Sequence, residues 1–157
     1  MEIKYLADHP ELIPTLASWF YAEWGYLSPG SSTGAIAETL KTHLNRDKLP
    51  LALVAVSGTD VVGSASLRVY DMQTRKDISP WLASVYVPVE HRRRGIGAGL
   101  VEAIEGKAKE LKFERLYLYT FDKEEYYARL GWCVLDRTVY KGRQAVVMQK
   151  GVASVAP

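Results

Sequence analysis

The spacing of apolar residues predicts alternating strands and helices in the first part of the chain. Residues 2–6 alternate polar with apolar side chains, as the two faces of a strand require. Between residues 10 and 24 the apolar positions recur at steps of three and four, which predicts an amphipathic helix. A break at 25–30 precedes a second helix, which we expect over residues 31–45.

The middle of the chain is rich in residues that favour strands. Runs at 51–56 and 61–70 flank a polar turn at 57–60 and together predict a β-hairpin. After a polar loop, residues 81–87 have the apolar character of a central strand. Two glycines then open a long amphipathic helix that extends to about residue 111.

The last third of the chain predicts one more strand, one short helix and a hairpin. The strand covers residues 115–120, and the helix lies within 122–131. The hairpin consists of 132–140 and 145–148. Residues 151–157 are expected to form a flexible C-terminal tail.

The predicted order, β-α-α-β-β-β-α-β-α-β-β, describes one α/β (α+β) domain over residues 1–150. A net charge of only +2 makes nucleic acid an unexpected partner. The single cysteine, Cys133, excludes an intrachain disulfide and is expected as a small buried strand residue. The N-terminus lacks the apolar segment of a signal peptide, and the run at 51–56 is too short to cross a bilayer. We therefore expect a cytoplasmic protein without membrane association.

The most informative segment is the strand, turn and helix around Gly95 and Gly97. A helix N-terminus has unpaired backbone N–H groups and a partial positive charge, and therefore favours anions. Glycine lacks a Cβ, so a ligand can approach the backbone closely at both positions. Three consecutive arginines, at 92–94, precede the glycines. The turn is therefore predicted to bind a phosphate or pyrophosphate.

Two common phosphate-binding motifs do not fit this turn. A P-loop continues from its last glycine with Lys and Ser or Thr, where this chain continues with Ala and Gly. A dinucleotide fingerprint has a third glycine at the position of Leu100. The pattern that remains, Arg92-x-x-Gly95-x-Gly97 after a strand, resembles the acyl-CoA signature of the GCN5-related N-acetyltransferase (GNAT) superfamily.

A second motif supports the same resemblance, because Tyr127-x-x-x-Gly131-Trp132 is similar to the GNAT segment between the fourth helix and the sixth strand. The resemblance implies a GNAT fold, with a mixed, mostly antiparallel sheet of about seven strands flanked by about four helices. It also implies transfer of the acetyl group of acetyl-CoA to a primary amine by direct attack in a ternary complex. We expect no metal, since no histidine has ligand spacing with another histidine or cysteine.

The resemblance places acetyl-CoA along the strand and the turn. Backbone groups at 85 and 87 would pair with the pantetheine arm, and an N–H at 85 or 86 would polarise the thioester oxygen. The helix N-terminus and the arginine side chains would bind the phosphates. The cofactor-binding residues implied are Val85, Tyr86, Val87, Arg92, Arg93, Arg94, Gly95, Ile96, Gly97 and Ala98.

The resemblance also implies a proton donor, because Tyr127 matches the tyrosine that many family members use as general acid towards the sulfur of CoA. A phenol is a reasonable donor to a thiolate. The alternative is that Tyr127 only packs as a helix aromatic, but we assign that role to its neighbour Tyr126.

No general base is evident on the central strand. Some family members carry a glutamate at the position of Trp81, and many have asparagine at the position of Thr120. The strand itself contains neither a carboxylate nor a histidine. Asp71 in the preceding loop is therefore our first candidate base, with Asp77 and Glu23 as others, and a water chain or bulk solvent as further alternatives.

The acceptor end is expected to be aromatic, with Trp24, Tyr26 and Trp81 as candidate substrate-binding residues. The acceptor is a small molecule or a peptide, and its identity stays open among a small amine, an antibiotic, a peptide terminus and a lysine. Family members often dimerise, so a homodimer is expected. The alternative function is a non-catalytic acyl-CoA-binding or sensor domain on the same fold.

Overall fold

The computed structural model describes residues 1–153 of the chain and contains one seven-stranded sheet. Its strands are β1 (Glu2–Tyr5), β2 (Leu51–Ser57), β3 (Asp60–Arg68), β4 (Trp81–Tyr86), β5 (Arg115–Thr120), β6 (Cys133–Tyr140) and β7 (Arg143–Gly151). They are arranged in the order β1-β2-β3-β4-β5-β7-β6. Only β4 and β5 are parallel; the other neighbouring strands are antiparallel. This mixed, mostly antiparallel sheet confirms the predicted GNAT architecture.

Helices cover both faces of the sheet. The four α-helices are α1 (Ile13–Trp24), α2 (Thr33–Lys41), α3 (Ile96–Glu110) and α4 (Glu124–Arg129). The core beneath α3 includes Leu67, Leu100 and Leu116, all fully buried. On the other face, α1 and α2 pack on β2 through a second core that includes Leu16 and Leu40. Both cores follow from the amphipathic spacing of the helices.

The sheet opens between β4 and β5. These strands pair at Trp81 and Tyr117, and Tyr117 N–H donates to the Pro80 carbonyl at 3.1 Å. Within residues 1–153 no further β4–β5 pairing follows. Ser84 has a φ of 52°, and the register between β3 and β4 shifts nearby. This irregularity bends β4 and leaves its edge towards β5 unpaired over residues 82–86.

The predicted order of elements is confirmed, and three boundaries differ. Two 3-10 turns, Leu6–Asp8 and Pro10–Leu12, precede α1. Helix α2 ends at Lys41 rather than near residue 45, because the side-chain amide of Asn45 donates to the carbonyls of Thr42 (3.0 Å) and Pro50 (2.7 Å) and holds the chain in a turn.

The C-terminal boundary also differs from the expectation of a tail from residue 151. Gly151 ends β7, and Val152 is buried and donates its N–H to the Glu114 carbonyl at 2.9 Å. Both residues therefore belong to the domain. Ala153 N–H also donates to the Glu114 carbonyl, at 3.3 Å, and the remaining residues of the expected tail, 154–157, lie outside the described part of the chain. The expectation that Cys133 is buried is wrong, because β6 is an edge strand and no layer covers this side chain.

Candidate active site

The glycine turn forms the N-terminus of α3. Arg93 and Gly95 have φ values of 64° and 80°, a left-handed conformation that glycine adopts without strain. The first intrahelical bond runs from Gly99 N–H to the Gly95 carbonyl at 2.9 Å. The N–H groups of Ile96, Gly97 and Ala98 therefore have no intrahelical acceptor and point out of the N-terminal end of the helix. A Cβ at Gly95 would meet no atom within 4 Å, so the backbone there is open to a ligand.

Arg92, Arg93 and Arg94 are all exposed, and Arg92 is held within the turn by a hydrogen bond. Arg92 Nε donates to the Val87 carbonyl at 2.8 Å, and its guanidinium carbon lies 5.8 Å from the ring centre of Tyr86. The three arginines add positive charge beside the N-terminus of α3. The turn therefore suits a phosphate or pyrophosphate.

The unpaired edge of β4 leads directly into this turn. Val85 and Val87 pack against the α3 core. Tyr86 points to the opposite face, where its ring lies 5.4 Å from Trp19 and 5.9 Å from Trp24. These side chains anchor the strand from both faces. The backbone edge towards β5 stays open to an added, strand-like ligand.

Two neighbouring tyrosines of α4 take different positions from those expected. Tyr127 packs against the α3 core, with its ring 6.2 Å from that of Trp132. Tyr126, which the sequence pattern placed in the core, instead lies at the glycine turn, with its hydroxyl 2.8 Å from the position that a Cβ on Gly97 would occupy. Burial raises the pKa of both phenols, so both stay protonated at neutral pH.

Arg68 organises a polar network on the α1/α2 face of the sheet. Its Nε donates to His43 Nε2 at 2.9 Å, its Nη1 to Asp71 Oδ1 at 3.0 Å, and its Nη2 to Ser84 Oγ at 3.0 Å. His43 Nδ1 lies 2.9 Å from the Thr39 carbonyl. These partners assign the proton of a neutral imidazole to Nδ1 and leave Nε2 as the acceptor.

Burial controls ionisation in this network. It lowers the pKa of His43 to about 4, and the charge of Arg68 acts in the same direction. Burial raises the pKa of Asp71, although the ion pair with Arg68 opposes the shift. Burial and the Asp71 carboxylate also raise the pKa of Tyr119, which lies on β5 two residues after Tyr117, the residue that pairs with β4. The Asp71 carboxylate therefore acts electrostatically on a side chain of β5.

A line of polar side chains on β3 continues this network. Ser64, Ser66 and Arg68 share one face of the strand, because successive side chains alternate. Both serines are 2% exposed, and the Ser64 hydroxyl is buried without a hydrogen-bond partner within residues 1–153. An unpaired buried hydroxyl is costly and is usually satisfied by water or a ligand. We call Ser64, Ser66, Arg68, Asp71, Ser84 and His43 the polar cluster.

The loop after α1 contacts the turn between β6 and β7. Arg143 Nη1 donates to the Tyr26 hydroxyl at 2.6 Å, and Lys141 Nζ donates to Ser28 Oγ at 3.1 Å. The Arg143 guanidinium lies 4.5 Å over the ring of Phe121, which follows β5. We call the first two contacts the loop–hairpin bridge. The positive charge of Lys141 also acts on Asp71, which connects the bridge to the polar cluster.

The structure corrects one candidate for acceptor binding. Trp81 is 0% exposed, and its indole N–H donates to the Ile78 carbonyl at 2.9 Å. A side chain so enclosed cannot contact an acceptor, so Trp81 is a core residue. Trp24 is partly buried against Tyr86, and Tyr26 is 69% exposed.

Of the three carboxylates predicted as candidate bases, Asp71 joins the polar cluster through its 3.0 Å ion pair with Arg68. Asp77 is exposed and pairs with Arg75 at 3.0 Å, and Glu23 is exposed on α1. Thr120 Oγ1 accepts the N–H of Lys123 at 3.0 Å and thereby holds the turn before α4.

Sequence reasoning missed His43, Arg68 and Ser84. The available signal was the alternation Ser64-x-Ser66-x-Arg68 within a strand that is otherwise apolar.

Within residues 1–153, no three His, Cys, Asp or Glu side chains form a group that could hold a metal ion. Over the same residues, no helix has the length and hydropathy needed to cross a bilayer.

The sequence matches the acetyltransferase (GNAT) family model over residues 13–132. The chain belongs to this family. No curated protein sequence matches it significantly.

Solved structures agree on the fold. One is an aminoglycoside 6'-N-acetyltransferase complexed with coenzyme A, with a TM-score of 0.78 and 18% identity over all of both chains. A second is a ribosomal-protein-alanine N-acetyltransferase from Brucella melitensis, with a TM-score of 0.74, 21% identity and coverage of 96% of this chain and 99% of that one. A third is an N-acetylglutamate synthase from Neisseria gonorrhoeae, with a TM-score of 0.74, 16% identity and coverage of 97% of this chain and 35% of that one.

Proposed function

We propose that this protein transfers the acetyl group of acetyl-CoA to a primary amine of a small molecule or peptide, in a ternary complex. The observation that carries the proposal is the continuity between the unpaired edge of β4 and the glycine turn at the N-terminus of α3. A strand-like pantetheine arm fits the first, and a pyrophosphate fits the second. Family membership and solved structures with coenzyme A support the same cosubstrate.

The residues present fit acetyl-CoA. Backbone groups of Val85, Tyr86 and Val87 would pair with the pantetheine arm, and one of their N–H groups would polarise the thioester carbonyl. The N–H groups at Gly95, Ile96, Gly97 and Ala98 would hold the pyrophosphate, with Arg92, Arg93 and Arg94 adding charge. The Tyr126 hydroxyl beside Gly97 would reach the same region.

The reaction requires two proton transfers. As the amine nitrogen attacks the thioester carbon, a C–N bond forms and the nitrogen loses a proton. Asp71 is the proposed acceptor of that proton, because it belongs to the polar cluster, acts electrostatically on Tyr119 of β5, and has a raised pKa that makes it a stronger base than an exposed aspartate. The C–S bond then breaks and its electron pair goes to sulfur. Tyr127 is the proposed donor to that thiolate, because it matches the position of the proton donor in the resemblance to the family and because a phenol is protonated at neutral pH.

Thermal unfolding with acetyl-CoA tests the cosubstrate. Ligand at a hundred times its Kd should stabilise the fold by about 2.7 kcal/mol. Free CoA should act similarly, whereas ATP and NAD should not. Release of free thiol during a screen of primary amines then tests transfer. Stabilisation without turnover of any amine would favour the non-catalytic acyl-CoA-binding alternative. Absence of stabilisation at millimolar acetyl-CoA would contradict both functions.

A further inference from the structure

The turn between β6 and β7 carries two cations that have no carboxylate partner. Within residues 1–153, no carboxylate lies within 4.0 Å of the side-chain nitrogens of Lys141 or Arg143. On β6 itself, Arg137 forms a two-bond ion pair with Glu124, at 2.6 and 2.8 Å. Lys141 and Arg143 are therefore unneutralised, whereas Arg137 of the same hairpin has a carboxylate partner on α4.

Neutral groups hold these cations in place. The hydroxyls of Tyr26 and Ser28 accept from them, and aromatic rings lie beneath both, with Lys141 Nζ 5.6 Å from the ring centre of Tyr140. Such contacts fix the direction of a charge without cancelling it. The loop–hairpin bridge therefore presents two oriented positive charges.

The polar cluster does not neutralise them either. Arg68 and Asp71 form an ion pair with each other, and His43 is neutral at pH 7 because its pKa is lowered to about 4. The cluster does offer hydroxyls, including the unpaired one of Ser64. The polar cluster therefore offers hydroxyls and an internally paired charge, and the positive charge of the bridge is left without a partner in it.

We propose, resting on the proposed function, that the acceptor carries an anionic group, a carboxylate or a phosphate, in addition to its amine. Lys141 and Arg143 bind the anion, and the amine extends past the bridge towards Asp71. Arginine and lysine both recognise these anions through charge-assisted hydrogen bonds. A polycationic acceptor such as an aminoglycoside is disfavoured by the same charges.

The test compares matched amines by thiol release. α-Amino acids are assayed against their carboxamides, and O-phosphoethanolamine against ethanolamine, so the two arms separate a carboxylate from a phosphate. The anionic member of at least one pair should have a kcat/KM about tenfold higher or more. The double variant Lys141→Gln/Arg143→Gln should remove that preference, so that the anionic and the neutral member of each pair react with similar kcat/KM. Lys109→Gln, an exposed cation near the end of α3, is the charge-matched control and should behave as wild type.

The outcomes separate this inference from the proposed function. Equal turnover of charged and neutral amines, or an unaltered preference in the double variant, overturns the anionic acceptor and leaves acetyl transfer standing. A second readout is thermal stabilisation by N-acetylated amino acids with CoA, compared with their carboxamides. Absence of both turnover and product-dependent stabilisation, although acetyl-CoA itself stabilises the fold, overturns both proposals.

Discussion

Arg68 donates from Nη2 to Ser84 Oγ at 3.0 Å, and thereby links β3 to the residue of β4 that has a left-handed backbone. A positive φ is strained for serine, so this contact holds β4 in its bent form. The bend in turn opens the sheet between β4 and β5. Residues of the polar cluster therefore shape the backbone along which we place the cosubstrate.

Substitution of Ser84 separates this hydrogen bond from the backbone strain. Ser84→Ala loses the bond and keeps the unfavourable φ, so we expect a loss of about 1–2 kcal/mol in the free energy of unfolding. Ser84→Gly also loses the bond but adopts the φ without strain. It should therefore be about 1 kcal/mol more stable than Ser84→Ala in urea unfolding. A glycine variant that is less stable than the alanine variant would contradict the assigned strain.

Acid should destabilise the fold through His43. In the unfolded chain the imidazole binds a proton near its ordinary pKa of 6.5, whereas in the folded protein it does so only near 4. Between these values the unfolded state binds more protons, so stability falls as the pH is lowered through this window. The contribution of this group is at most about 3 kcal/mol.

His43→Gln provides the matched comparison, because an amide oxygen can accept from Arg68 Nε and does not titrate. Urea unfolding across this pH window should show a flatter dependence for the variant than for the wild type. Identical slopes for both proteins would show that His43 does not contribute.

Phenylalanine substitutions distinguish the two tyrosines of α4. Tyr127→Phe removes the proposed proton donor, so kcat should fall about 100-fold or more while the KM for acetyl-CoA changes little. Tyr126→Phe removes a hydroxyl at the glycine turn and should mainly raise that KM. Steady-state kinetics of thiol release measures both. The reverse pattern would reassign the proton donor to Tyr126.

A methyl group at Gly97 should obstruct the phosphate end of the site. The Cβ of Gly97→Ala would lie 2.8 Å from the Tyr126 hydroxyl, so the tyrosine side chain would have to shift. We expect the affinity for acetyl-CoA to fall about tenfold, measured by calorimetry. The double variant Gly97→Ala/Tyr126→Phe lacks the hydroxyl that clashes and should recover part of the loss. Equal affinity of Gly97→Ala and wild type would place the phosphates elsewhere.

The pH dependence of catalysis tests Asp71. Because burial raises its pKa, the carboxyl becomes an ionised base only at a higher pH than an exposed aspartate would. The kcat of the wild type should therefore rise with pH along an acidic limb, and Asp71→Asn should lower kcat and lose that limb. Asp77→Asn, which removes an exposed carboxylate from the same loop, is the control. Retention of the limb in Asp71→Asn would assign it to another group.

The glycine turn could be predicted from local sequence alone. Its parts lie within a few residues of one another, and the geometry of a helix start follows from the glycines and the N–H groups themselves. The assignment of Tyr127 to the site and Tyr126 to the core could not be secured in the same way. The two residues are adjacent on a helix of six residues, and which one reaches Gly97 depends on how α4 packs.

The order of strands and helices, the hairpin at 57–60 and the glycine turn at the start of α3 were determined by the sequence, because periodicity and turn residues act over short distances. The tertiary structure alone decided the polar cluster and the loop–hairpin bridge. Arg68 meets His43 across 25 residues, and Arg143 meets Tyr26 across 117. Contacts at such separations depend on strand order, on the bend of β4 and on the packing of α1 and α2, which no local pattern encodes.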